Sequence, residues 1–357
     1  MQSESLETSL LSILALLSFF TFLLIQKFSH KIFRGILLDN DFEKPQAFHS
    51  EAISRIGGLA SIISFNFFLI LYSSMFSNFF IDYFWLGLSL FFIGFIDDLK
   101  VTISPKTRLS LMIITLIIYI LFFSLEIVDI DLIFLQNWFD NKIFSTSFIL
   151  LCFLFIINGS NLIDGFNGLL ALHLIIINSL LFYINVSTGN SELSILIISQ
   201  IMILIIFLFF NFPKAKIFLG DSGSYFFGSF TALNTIYTNN ANPEISSFFF
   251  CILLFYLFFE VFFSFFRKLY QNKSPLKPDK YHLHMLAFNF VSLKFNNEKS
   301  NYFNSILINI SFIFLMSPGF IFKKNGTFCK YWFFSLLIIY LYIYLRLYSL
   351  TKKKIDI

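Results

Sequence analysis

The chain has 357 residues, of which 57% are hydrophobic and only 13% charged, with a formal net charge of +4 and a mean hydropathy of +0.79. A soluble domain carries roughly 25% charged residues, so this composition excludes a soluble enzyme or binding module and points to a chain embedded in a bilayer. Cys152, Cys251 and Cys329 are odd in number and widely spaced, which excludes a disulfide framework and a CxxC site.

The first apolar run, 8–26, follows Glu4 and Glu7 instead of a basic segment, and no small-residue cleavage site comes after it. It reads as a span and not as a cleavable signal. A span needs about 20 mostly apolar residues. Runs of that size predict further helices at 57–76, 82–96, 109–126, 145–160, 168–186, 193–211, 223–240, 246–266, 302–322 and 331–349. The segment 145–160 is short and runs into polar residues. Backbone groups in lipid must be satisfied within each segment, so the expected fold class is all-α, a polytopic transmembrane bundle of about 10–11 helices. No repeat or linker divides the chain, which reads as one domain over 1–357. With the N-terminus outside, 21 of the 25 Lys and Arg fall in inner loops, Lys44 among them, and only Lys142, Lys323, Lys324 and Lys330 fall outside. That bias sets the orientation. The 56 Phe reflect compositional drift and carry no functional reading.

Five polar clusters interrupt this pattern, and all fall on the inner, cytoplasmic side. The first is Ser54-Arg55-Ile56-Gly57-Gly58. Asp97 and Asp98 close the 82–96 helix. Two adjacent carboxylates at a membrane surface need a metal, a Lys or Arg partner, or a raised pKa, unless they form a solvated helix end. Residues 158–168 carry Asn158, Asn161, Asp164 and Asn167 among Gly159, Gly165 and Gly168. Their oxygens are hard donors suited to Mg²⁺, or else they cap two helices. Gly220-Asp221-Ser222-Gly223-Ser224 opens a helix. It suits an approaching phosphate, a cation held by Asp221, or plain capping, and it lacks the GxxxxGK[ST] of a phosphate-binding loop. His282 and His284 alternate in a basic loop with Pro275, Pro278 and Asp279. A zinc pair would lack a third ligand nearby, so hydrogen bonding to an anionic substrate is the better reading. Glu260 is the one acid deep in an apolar run, seven residues before Arg267 on the same helix face. It is functional or a structural hydrogen-bond acceptor. His173 reads as a satisfied core residue.

In their order, these clusters resemble the polyprenyl-phosphate N-acetylhexosamine-1-phosphate transferase family, glycosyltransferase family 4. Its members start O-antigen, enterobacterial common antigen and teichoic-acid linkage synthesis, and are related to the phospho-MurNAc-pentapeptide transferase. The likeness covers about residues 45–290, through His49…Arg55-Ile-Gly57-Gly58, Gly94…Asp97-Asp98, Asn158…Asn161…Asp164-Gly165…Gly168, Asn211-Phe-Pro213…Gly220-Asp221-Ser-Gly223-Ser224 and Ser274-Pro275…Asp279…His282-Leu-His284. Three features depart from the family pattern. Met285 stands where an HxHH motif has its last histidine. Asn167 stands where many members carry Asp. The stretch between Asp98 and Ser104 is one residue longer than usual.

The resemblance implies transfer of a sugar 1-phosphate from a UDP-sugar to a polyprenyl phosphate in the cell inner membrane, with release of UMP. GlcNAc is the default sugar, and a pentapeptide-bearing MurNAc fits the 158–168 and 267–284 segments less well. Asp221 and Asn167 are then expected to hold Mg²⁺, with Mn²⁺ as a substitute. Asp97 and Asp98 would orient or deprotonate the lipid phosphate, and Asp164 would bind nucleotide or support the metal. Arg55, Asn158, Asn161, Arg267, His282 and His284 would bind or shape the substrate site. The partners are the donor, the lipid acceptor and the bilayer, with no nucleic acid and room for a homodimer. The alternative from another class is a transporter or flippase of polyprenyl-linked sugars. It would place its polar groups near the bilayer midplane on discontinuous helices, whereas these cluster at one face.

Overall fold

The computed structural model describes residues 2–39, 52–101, 103–128, 130–275, 277 and 279–355. Lys44, His49 and Pro278 lie outside the described residues. The architecture is helical throughout, apart from a two-residue antiparallel pair, β1 (Leu38–Asp39) with β2 (Ile53–Ser54). The helices are α1 (Gln2–Phe28), α2 (Gly57–Phe76), α3 (Ile81–Asp98), α4 (Pro105–Phe122), α5 (Ile133–Phe139), α6 (Lys142–Ile163) and α7 (Leu169–Ser187). They continue with α8 (Ser191–Asn211), α9 (Gly220–Ala241), α10 (Ser247–Leu253), α11 (Phe255–Tyr270), α12 (Leu283–Val291), α13 (Asn297–Ile321) and α14 (Gly326–Ile355).

Every predicted segment is helical, but not every helix is an apolar span. Among the described residues eight helices are long and apolar enough to cross a membrane, or up to nine if α10 and α11 form one broken span bent by 72°. With α3 and α9, which are more polar than the rest, these make up the expected bundle of about 10–11 helices. α3 carries Asp82, Asp97 and Asp98 at its ends. α9 is rich in Ser, Thr, Asn and Gly. It can afford that composition because it contacts protein and not lipid: α2, α3, α6, α7 and α8 surround it, and nearly all its residues are buried. Its polar groups pair across the bundle. The Asn234 amide donates to Asn178 and Gln200 at 2.8 Å each, and Tyr83 donates to Asn234 Oδ1 at 2.7 Å. Small residues and satisfied side-chain amides are the usual means of joining helices in lipid.

α6 also differs from expectation. The Asn141 side chain caps its first turn by accepting from Ile143 and Phe144 N–H, and the helix runs on to Ile163. Asn158 and Asn161 are therefore helical, and the polar turn begins only at Asp164. The bend between α10 and α11 was invisible in sequence, since 246–270 contains neither Pro nor Gly. It lays the Leu257 backbone directly against Gly159 of α6, where a Cβ would have no room.

Candidate active site

The site is built around the start of α9. Gly220 adopts φ +78°, which opens the chain so that the next amides point outward. Those amides are capped by Asp98, not by Asp221. The buried Asp98 carboxylate accepts from Asp221 N–H and Ser222 N–H, both at 3.0 Å, and from Ser222 Oγ at 2.6 Å. A negative charge is favoured at a helix N-terminus. The approach of α3 depends on Gly94, where a Cβ would lie 2.5 Å from the Asp221 backbone. Asp98 is thus occupied by the protein, while its neighbour Asp97 faces the site.

Asp97 and Asp221 converge on one cation. Arg108 Nη1 lies 2.9 Å from Asp97 Oδ2 and 2.8 Å from Asp221 Oδ2. Arg108 sits in the first turn of α4, whose start is fixed by Ser104 accepting from Thr107 N–H and by Pro105 at the first helical position. Its guanidinium also lies 5.9 Å from the Tyr225 ring centroid. Sequence reading counted Arg108 as a basic loop residue and did not place it in the site. Asp39 was missed as well: it receives Arg55 Nε at 3.0 Å and Nη2 at 2.6 Å. Arg55 Nη1 stands 4.0 Å from Asp98. Burial works against the Arg55 charge, but Asp221, Asp39 and Asp98 more than offset it and raise its pKa. The backbone holds Arg55 there: Phe218 N–H donates to Ser54 O, and Gly57 N–H to Phe218 O.

Asp164, just past the end of α6, is half-buried and has no hydrogen-bond partner among the described residues. Burial, and then the charge of Asp221, push its carboxyl up to about 8. The Asn161 amide donates to Ser224 Oγ at 3.2 Å, tying α6 to α9. The Asn158 amide donates back to Leu154 O within its own helix. The Asn167 amide donates to Pro213 O at 2.9 Å and its N–H to Asn301 Oδ1 at 2.8 Å, and among the described residues none donates to its own Oδ1.

The histidine loop adjoins this group through Phe166, whose ring meets His284 edge-on at 5.9 Å. Arg267 and His282 are already engaged. Arg267 grips Asp279 in a bidentate pair at 2.9 and 3.2 Å. His282 Nδ1 lies 3.0 Å from Glu260 and its Nε2 3.3 Å from Asp279. Despite burial, the hydrogen bond from Arg267 and the nearby cations hold Asp279 below the usual carboxylate range. Glu260 does not pair with Arg267; it accepts from His282, Leu283 N–H and Tyr340. His284 is fully buried, its Nδ1 is 3.4 Å from Tyr256 Oη, and its Nε2 has no partner among the described residues. Burial pushes it down to about 3, so the ring is neutral. His173 is a core residue with Nδ1 3.1 Å from Asn309, though its Nε2 is unpaired among the described residues.

The donors suit Mg²⁺ in one respect and limit it in another. Asp97, Asp164, Asp221 and Asn167 offer only hard oxygens. Yet among the described residues no three acidic, His or Cys side chains are close enough to enclose a metal.

Residues 80–239 match the family described as glycosyl transferase family 4. That stretch holds Asp97, Asp98, Arg108, Asp164 and Asp221, while Arg55 and the histidine loop lie outside it. The chain is 24% identical over 305 residues to the undecaprenyl-phosphate alpha-N-acetylglucosaminyl 1-phosphate transferase of Thermotoga maritima, covering 85% of this chain and 87% of that one. It is 28% identical over 277 residues to the probable undecaprenyl-phosphate N-acetylglucosaminyl 1-phosphate transferase of Bacillus subtilis, covering 73% and 71%. It is 30% identical over 230 residues to the phospho-N-acetylmuramoyl-pentapeptide-transferase of Dictyoglomus turgidum, covering 61% and 71%.

Proposed function

Because this chain belongs to glycosyl transferase family 4, we propose that it transfers N-acetylglucosamine 1-phosphate, or a closely related N-acetylhexosamine 1-phosphate, from a UDP-sugar to undecaprenyl phosphate. UMP leaves, and the product begins a cell-surface polysaccharide at the cytoplasmic face of the inner membrane. The observation that carries this reading is the junction at the start of α9, where Asp97 and Asp221 share Arg108 at one end of the bundle. Two anionic reactants demand charge neutralisation and alignment above all. The polar residues deeper in the bundle are paired with one another around α9, as expected of helix packing and not of a transport path.

An oxygen of the lipid phosphate attacks the β-phosphorus of the donor, and the bond to the UMP oxygen breaks. Arg108 and Arg55 supply positive charge toward the phosphates. Asp98 sets the height and direction of the α9 start and so acts as a positioning residue. Asn161 and Asn158 shape the adjoining wall. His284, neutral and with a free Nε2, is suited to a hydrogen bond with the donor, and Arg267 and His282 act by holding its loop. Mg²⁺ held by Asp221 and Asn167, with Asp164 or Asp97 close by, would neutralise the diphosphate. Mn²⁺ has the same preference for oxygen.

Radiolabelled UDP-GlcNAc supplied to sealed inverted membrane vesicles should pass its label into the lipid fraction with equimolar UMP. Right-side-out vesicles should not react. Label reaching lipid only from the right-side-out preparation would reverse the assigned orientation, and no label in either would defeat the transferase reading. Metal dependence gives a second expectation. EDTA should abolish transfer and Mg²⁺ or Mn²⁺ should restore it. Asp164→Asn should raise the Mg²⁺ needed for half-maximal rate about tenfold, which corresponds to roughly 1.4 kcal/mol. An unchanged Mg²⁺ curve would remove Asp164 from the metal's surroundings.

A further inference from the structure

The last helix reaches back to the histidine loop, and the family match ends well before it. Tyr340 of α14 donates its hydroxyl to Glu260 Oε2 at 2.7 Å. The other oxygen of Glu260 accepts Leu283 N–H and faces His282 Nδ1, both at 3.0 Å. Leu283 is the first residue of α12, so Glu260 caps the helix that carries His284 as its second residue. His284 in turn stacks on His282 with ring centroids 5.5 Å apart and planes 5° from parallel. Four residues further along α14, Tyr344 lies 3.0 Å from Tyr281 O, on the other side of the same loop. The aim of the free His284 Nε2 is therefore set by the start of α12, which is set by Glu260, which is set in part by Tyr340.

We infer that Tyr340 is a positioning residue for the transfer reaction: it holds Glu260 so that the capped start of α12 presents His284 to the donor. This rests on the donor-binding role of His284 proposed above. The physical ground is that a buried carboxylate is costly unless its oxygens are fully hydrogen-bonded. Glu260 is buried in the apolar first half of α11. Without the Tyr340 hydroxyl, Oε2 loses the one donor shown for it, and the carboxylate has no fixed orientation from which to hold Leu283 and His282.

Tyr340→Phe isolates this effect, because the ring stays packed against Phe259 at 4.8 Å and Phe263 at 5.5 Å. The expected result is a donor KM raised about fivefold to tenfold with kcat within about twofold, the size set by losing about one net hydrogen bond at a distance from the donor. His284→Ala should show the same pattern, and the double variant should be no worse than His284→Ala alone. Tyr344→Phe should give a smaller shift in the same direction, and Tyr342→Phe, on the exposed face of α14, should give none. A merely structural role would lower kcat at unchanged KM, or multiply with His284→Ala, and either result overturns the inference. Hydrogen exchange provides an arm independent of activity. Backbone exchange over 281–286 should speed up in Tyr340→Phe and not in Tyr342→Phe, and unchanged exchange overturns the inference. If the wild-type protein transfers no label at all, the proposed reaction fails, and the exchange result still decides whether Tyr340 holds the loop.

Discussion

Asp221→Asn is expected to cut the rate of transfer by about 10³-fold or more, the scale seen when a charge-stabilising group is removed from a reacting centre. The protein should still insert, elute normally in detergent and keep its melting temperature within about 2 °C. The two halves of this expectation have separate grounds. The α9 start is held through the Asp221 N–H, which the substitution keeps. The side chain contributes charge toward Arg108 and the site, which the substitution removes. Arg108 retains Asp97 as a partner, so no buried cation is left alone. Near-normal turnover in this variant would take Asp221 out of the chemistry.

Asp98→Asn should behave in the opposite manner, losing stability and activity together. Its carboxylate is buried and accepts three hydrogen bonds from Asp221 and Ser222. An amide in that place turns one acceptor into a donor aimed at other donors, and it removes the charge that favours the helix start. Hydrogen bonds to charged groups contribute about 1.5–3 kcal/mol each, so a loss of roughly 3 kcal/mol and a fall of several degrees in melting temperature are expected. Transfer should drop about 10²-fold because Asp221 moves with the helix start. The comparison is made by thermal unfolding in detergent beside steady-state kinetics. A variant that melts like the wild type yet is inactive would show that Asp98 acts on substrate directly and not through α9.

The helices were legible because period and length report the phase each segment lives in. All eleven predicted segments are helical, and 57–76 has the bounds of α2. What sequence could not report was which polar ends would meet. Arg108 and Asp221 are 113 residues apart, and nothing local to Arg108 marks it as different from Lys106. Asp39 is likewise set apart only by Arg55 coming to it. Partners distant in sequence were equally hidden where a charge stood alone in its segment. Arg267 reads as a substrate cation until Asp279 is found on it, and Glu260 reads as its neighbour until Tyr340 and His282 are found there instead. The bend after α10 left no trace because no Pro or Gly causes it. The polar content of α9, by contrast, was visible, but its meaning depended on neighbours that only the fold supplies.

The glycine contacts at the start of α9 bear on how this chain can change. Its 56 Phe suggest a mutational supply that pushes aliphatic codons toward Phe. The lipid-facing surface absorbs that pressure cheaply, as at Phe122, Phe209 and Phe314, where a bulkier side chain only displaces acyl chains. At Gly58 and Gly94 even one added methyl would strike backbone, and overpacking of that kind costs about 1–3 kcal/mol. The protein is in this sense made of two materials. One is a pliant outer coat whose spelling can wander, and the other is a rigid keystone where neutral variation stops. A random mutagenesis library selected only for membrane insertion and growth should fill the first with substitutions and leave the second blank.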